Sequence, residues 1–318
     1  MELKGFFSER PVFNRFLIVI GVVLLCSGLF TFLGAWITSS LYGVDMLTDP
    51  GILNELNDPD VVASLKILQL LSTGLGMFLI PAFIIAILFS KKPFNYLQLL
   101  GKGDVLIGVL VVFLMLVSVP FINVLITMNE GLVLPESLAG LENWMKESEA
   151  SAMALTNAFL DMRTGTDLFV NLFIMALIPA VGEELMFRGI LQGMFRELTG
   201  NVHAAVILTA VIFSAFHMQF YGFVPRMLLG LVFGYLLVWT GNMWWPILGH
   251  FINNGAAVIM MWFASREELP FDQDQIGTGD GEWKLAMVSA ILLIMVMALI
   301  RRRASLSGAM NDGQGTTL

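Results

Sequence analysis

Eight apolar blocks, at about 16–40, 67–89, 105–128, 168–195, 202–220, 226–240, 244–264 and 283–300, decide what this chain can fold into. A helix rises 1.5 Å per residue, so about 20 apolar residues cross the ~30 Å hydrocarbon layer of a bilayer. The composition agrees: 57% of the 318 residues are apolar and 13% are charged, more apolar and less charged than a soluble domain. The expected fold is all-α, a polytopic membrane bundle of about eight transmembrane helices. The first block is too long for a signal-peptide core and lacks a convincing small-residue cleavage site, so it is expected to persist as a helix. The single cysteine, Cys26, lies inside that block, which excludes an intrachain disulfide and a multi-cysteine metal site.

Charge alternates along the connections. Lys4, Arg10 and Arg15 precede the first block, Lys91, Lys92 and Lys102 lie between the second and third, Arg196 follows the fourth, and Arg301 to Arg303 follow the eighth. If each block spans once, these places share one side, which the positive-inside rule makes the cytoplasm, with both termini there. The opposite connections carry Asp45, Asp49, Glu55, Asp58 and Asp60, and later Glu267, Glu268, Asp272, Asp274 and Asp280. The net charge of −8 therefore reads as topology, and no nucleic-acid partner is expected. Trp36, Trp244, Trp245, Trp262 and Trp283 fall near block ends, as interfacial aromatic belts do. The setting expected is a bacterial cytoplasmic membrane.

The connection 129–167 spaces Leu138, Leu141 and Met145 at helical intervals among charges, which predicts an amphipathic helix on the outer surface. Four regions follow: N-terminal membrane helices with this outer segment (1–164), a core bearing the polar motifs (165–260), an outer loop with the last span (261–303), and a short polar tail (304–318) expected to be disordered.

The fourth block departs from the others. It reads Leu177-Ile-Pro-Ala-Val-Gly-Glu183-Glu184-Leu-Met-Phe-Arg188-Gly, two adjacent acids about 22 Å into an apolar helix. Such a carboxylate costs roughly 2.5–3.5 kcal/mol or more to insert, and an ionisable residue there is a functional candidate by default. Glu184 and Arg188 are four apart and share a helix face, so they can pair. Glu183 points about 100° away with no partner on its own helix. Glu184 is thus the expected structural acid and Glu183 the reactive one.

Two of the three histidines lie in later blocks. His217 ends Phe213-Ser-Ala-Phe-His217 and His250 opens His250-Phe-Ile-Asn-Asn254. His250 and Asn254 present an imidazole and a carboxamide from one face, although Asn253 fits the same face and spacing alone leaves both open. His203, beside Asn201 at the start of the fifth block, reads as an interfacial residue.

Glu-Glu-x-x-x-Arg, Phe-x-x-x-His and His-x-x-x-Asn, in this order on successive apolar helices, resemble the CPBP intramembrane peptidases, a family that includes type II CAAX prenyl proteases and abortive-infection and bacteriocin-immunity-like proteins. The resemblance covers about 165–260. It implies that Glu183 and His217 hold and activate a water while His250 and Asn254 stabilise the oxyanion, inside a cavity of the bundle, with Glu184 and Arg188 as support. The chemistry is self-consistent, because amide hydrolysis needs a base poised near the working pH and donors aimed at the developing oxyanion, and a low-dielectric interior strengthens both. No cofactor is required in this reading. Glu183, His217 and His250 could alternatively ligate zinc, since two histidines and a carboxylate form a catalytic set, but the histidines come from separate helices with no His-Glu-x-x-His motif.

The expected partners are the bilayer and a membrane-associated peptide or protein substrate. Two other readings stand beside the peptidase: a membrane immunity or binding protein that keeps the pocket without turnover, and a small transporter using Glu183 and the histidines as a proton relay. Depth raises a difficulty. His217 lies about 16 residues past Asn201, whereas His250 lies about six past Trp244, with Glu183 between them, a mismatch of roughly 15 Å. Convergence then requires the fifth and sixth blocks to be tilted, short or partly re-entrant, with Gly222, Gly230, Gly234 and Gly241 allowing close approach.

Overall fold

Polar caps and left-handed glycines cut the described part of the apolar sequence into nine main helices. The computed structural model describes residues 3–49, 51–131, 133–266, 276, 278–279 and 283–308. The helices are α1 Val12–Tyr42, α2 Pro59–Phe89, α3 Val105–Glu130, α4 Ala139–Leu160, α5 Gly165–Thr199, α6 Val202–Phe216, α7 Phe223–Thr240, α8 Trp244–Ala264 and α9 Trp283–Leu306. Asp104 accepts from the backbone N–H of Leu106 and Ile107 to start α3, Thr164 and Asp167 form a reciprocal capping box before α5, and Asn201 accepts from His203 and Ala204 to start α6. Gly43, Gly200 and Gly241 close α1, α5 and α7 with φ of 70°, 64° and 59°, a conformation that only glycine adopts at no cost. The all-α polytopic bundle is as expected, with no strand among the described residues.

The helices agree with the expected count of about eight, with one of them short. Among the described residues, seven helices are long and apolar enough to cross a membrane. The expected block 202–220 ends as a helix at Phe216, and its 15 residues rise only about 22 Å, short of the hydrocarbon layer. The expected disordered tail is also shortened, because α9 runs to Leu306 with Ala304 fully buried. The acids Glu267, Glu268, Asp272, Asp274 and Asp280 and the tail after Gly308 lie outside the described residues.

The basic clusters gather at one end of the bundle. Arg15 at the start of α1 pairs with Glu197 near the end of α5. The N–H of Gly5 bonds to the carbonyl of Ile87 near the end of α2. Arg303 meets Asp104 at 2.7 Å, and the side chain of Asn242, just past α7, donates to the carbonyls of Gly101 and Lys102.

Prolines shape the interior. Pro120 lies inside α3, and the Ser289 hydroxyl of α9 enters the gap, donating to the carbonyl of Val117 and accepting from the N–H of Phe121. A side chain thus restores backbone bonds that lipid cannot supply. Pro81 and Pro179 each follow a stretch wound more widely than α, Gln69–Leu79 in α2 and Leu172–Leu177 in α5. A second wide stretch, Leu185–Leu191, follows Glu184. Wide turns of this kind gather at functional sites, and here two of them bracket the acidic pair.

Close packing of α2 on α1 rests on Gly76, where a Cβ would stand 2.7 Å from that of Phe30 and 3.0 Å from the carbonyl of Leu71. Gly28 in α1 has nothing within 4 Å. Gly76→Val should lose about 1–3 kcal/mol through overpacking, while Gly28→Val leaves stability unchanged; thermal unfolding of the two detergent-purified variants checks this.

Candidate active site

The α5–α6 hairpin brings the first two polar motifs together. Glu183 and His217 each lie 17 residues from the turn at Gly200, so in antiparallel helices they stand at equal height. The observed separation of Glu183 Oε2 from His217 Nε2 is 4.0 Å. His217 sits at the C-terminal cap of α6, with its Nδ1–H donating to the carbonyl of Phe213 at 2.9 Å. In the neutral ring that leaves the Nε2 lone pair facing the carboxylate. Two acceptors 4.0 Å apart are too far for a direct hydrogen bond and near enough for one donor molecule between them. Glu183 Oε2 is buried and has no hydrogen-bond partner among the described residues. The two side chains are 12% and 30% exposed overall, while Oε2 itself is covered.

Glu184 is placed differently. It and Arg188 have no exposed side-chain surface. Arg188 donates to Glu184 Oε1 at 2.9 Å and to the carbonyl of Gly230 on α7 at 3.3 Å. The same Glu184 oxygen receives the Nδ1–H of His250 at 2.8 Å. Aromatic rings wall this cluster: Phe213 lies 4.3 Å from the guanidinium of Arg188, and Phe233 stacks on His250 at 5.4 Å and 12°. Glu184 therefore ties α5 to α8, and Arg188 ties α5 to α7.

The depth mismatch resolves through the α7–α8 turn. Asn242 and Met243 are buried beneath the connection after α2, where the N–H of Met243 bonds to the carbonyl of Gln98. Trp244 therefore does not start at the level of Asn201, and His250 reaches Glu184 after less than two turns. α6 is short, as convergence required. Gly230 and Gly234 permit its close approach to α7: a Cβ at Gly230 would stand 3.0 Å from Ala210, and one at Gly234 would stand 2.8 Å from Val206.

Asn254 is held on α5. Its Nδ2 donates to the carbonyl of Met175 at 3.2 Å, and its Oδ1 accepts from Asn253 at 3.1 Å. Met175 lies four residues before Pro179, which has no N–H to offer it. One amide proton of Asn254 therefore compensates for the proline, and the other remains.

Sequence reasoning passed over Arg226, Gln219 and Glu149. Arg226, in the first turn of α7, lies close enough to Glu183 and Glu149 for their charges to interact, and it donates to the carbonyl and to Oε1 of Gln219 at 3.0 and 2.6 Å. Gln219 donates in turn to Glu149 of α4 at 3.2 Å, while Trp144 packs on Phe220 at 5.1 Å. α4 thus covers the loop that follows His217. The signal that could have found Arg226 is its place as the basic residue that opens the sixth apolar block.

Zinc ligation by Glu183, His217 and His250 would need three donors around one point. Among the described residues no three His, Cys, Asp or Glu side chains are so grouped.

Comparison with known proteins falls on the same segment. Residues 165–256 match the family model described as Type II CAAX prenyl endopeptidase Rce1-like. The segment that carries all three motifs is therefore similar to a protease family, in agreement with the resemblance drawn from the motifs. A stretch of 86 residues is 28% identical to the "Uncharacterized protein YpbD" of Bacillus subtilis (strain 168), covering 26% of this chain and 41% of that relative. No solved structure matches.

The two acids should respond differently to the same change. Glu184→Gln removes the charge that holds Arg188 and His250, and breaking a buried pair costs about 3–5 kcal/mol. Folded yield in detergent should fall sharply for Glu184→Gln and stay near wild type for Glu183→Gln. Equal yields would remove the division of labour.

Proposed function

We propose that this protein is an intramembrane endopeptidase that hydrolyses a peptide bond in a membrane-associated substrate. The observation that carries the reading is the Glu183–His217 pair, two acceptors 4.0 Å apart with an unpartnered carboxylate oxygen between helices. A water donating to both is fixed with its own lone pairs free for attack. Glu183 takes one proton as the oxygen adds to the substrate carbonyl. The tetrahedral intermediate collapses as that proton passes to the leaving amine, so atoms and charge balance. The oxyanion is met by His250 Nε2 and by the second amide proton of Asn254. With Nδ1–H committed to Glu184, His250 donates from Nε2 only when the ring holds both protons. The type II CAAX endopeptidase likeness of residues 165–256 supports the reaction class.

The substrate is taken to be a peptide segment presented from the bilayer. The non-catalytic immunity reading shares the pocket, and what favours turnover is the approach of Glu183 to His217 with a carboxylate oxygen that has no hydrogen-bond partner among the described residues.

Peptidomics of membranes from cells carrying wild type or Glu183→Gln tests activity and substrate together. Glu183→Gln should abolish the wild-type cleavage products, with turnover reduced about 10²–10⁴-fold for loss of a general base, while the protein stays folded. Identical peptidomes would leave the binding reading. In purified enzyme, Asn254→Ala should cost about 10²-fold or more and Asn253→Ala less. Activity should survive exhaustive chelation; loss on chelation with recovery on adding zinc would overturn the metal-free mechanism.

A further inference from the structure

α7 has two faces. Gly230, Phe233 and Gly234 turn towards Arg188, His250 and α6. On the other side, Leu228, Leu231, Tyr235 and Trp239 line a cavity of about 660 Å³ between α7 and α9, within the range of small-molecule sites. The α9 wall is Leu293, Ile294, Met297 and Ala298, followed by Arg301, Arg302 and Ser305. α7 and α9 end at the same level, since Asn242 and Arg303 both anchor on residues 101–104. The groove therefore has an apolar body and a basic head. Its length from Leu228 to Trp239 is about 16 Å along the helix.

Three observations indicate what fits it. Ile294 is 66% exposed in a helix apolar enough to span, so the groove opens on the lipid-facing surface. Arg303 is engaged by Asp104, while Arg301 and Arg302 are exposed and line the groove with no partner among the described residues. The aromatic wall is held in place, because Tyr235 stacks on Trp239 at 5.3 Å and its hydroxyl meets His203 Nδ1 at 2.9 Å. His203 and Tyr235 thus fix the rim where an apolar tail gives way to a polar head.

We propose that the α7–α9 groove is a binding site for an anionic glycerophospholipid, with one acyl chain along Leu228–Trp239 and the phosphate at Arg301 and Arg302. Charge complementarity selects the head group, since a juxtamembrane arginine attracts anionic lipid and basic pockets between membrane helices bind such heads. The groove volume selects a single chain.

Native mass spectrometry of the full chain, released from detergent with equimolar phosphatidylglycerol and phosphatidylcholine, tests it. Wild type should retain one phosphatidylglycerol per chain, favoured roughly tenfold or more over phosphatidylcholine. The Arg301→Gln/Arg302→Gln variant should lose that preference. Ala298→Trp, on an exposed groove position, should reduce retention of both lipids with unchanged thermal unfolding. Equal retention of the two lipids by wild type would overturn the proposal, as would a preference that survives the double arginine variant. A dimer whose formation is blocked by Ala298→Trp, with no lipid adduct, would assign the groove to a second copy instead.

Discussion

One carboxylate organises the interior. Glu184 Oε1 receives both Arg188 from the next turn of its own helix and His250 from α8, with no exposed surface on either Glu184 or Arg188. A charge buried this deeply is tolerable only when paired and hydrogen-bonded. Arg188 also reaches the carbonyl of Gly230, so α5, α7 and α8 are fixed to one another by a single charged cluster rather than by apolar packing alone. Apolar packing has little power to discriminate among helix registers in lipid, because the tails are as apolar as the side chains. The polar cluster supplies the register, and the Glu183–His217 pair inherits its geometry from it.

The consecutive acids illustrate how much was legible in the sequence. Adjacent helical residues point about 100° apart, and only Glu184 has a basic residue one turn away, which separates the two without any structure. The hairpin was less readable: Glu183 and His217 stand at equal distances from Gly200, a left-handed cap, whereas depths counted from block bounds put Glu183 between the two histidines. The depth argument failed because it placed every turn at one membrane level. Periodicity reports which residues are apolar, not how far a turn is recessed, and the burial of Asn242 and Met243 under residues 97–102 is a long-range contact with no local signature.

Asn254 shows a second limit. Spacing put both asparagines on the face of His250, and the bond that distinguishes Asn254 runs to Met175, whose carbonyl is deprived of a partner by Pro179 four residues on. That proline was visible, but its consequence appears only when α8 packs on α5. The sixth helix is shorter than its block for a related reason, since the block was drawn to 220 although the helix ends at Phe216 and the chain turns at Met218 with φ of 53°. Residues 217–222 are then held by α4 through Glu149 and Trp144 and by Asn129 of α3, whose side chain donates to the carbonyls of Phe220 and Tyr221.

That clamped loop bears on how a substrate bond would reach Glu183 under the proposed chemistry. His217 is the first residue of the loop, and its imidazole is the more exposed member of the pair, so approach is from the side where α6 ends and α4 begins to cover. In an intact membrane helix every carbonyl is bonded within the helix and sheathed by side chains. A scissile bond offered to the Glu183–His217 water must therefore lie in an extended or unwound stretch, either at the end of a membrane segment or in one made to unwind. Carbonyls and amides released by unwinding need new partners at that depth, and the polar groups available are those of the loop and of the Glu149–Gln219–Arg226 chain beneath α4. The cover over the site is thus the part of the fold best equipped to accept a backbone that has left its helix.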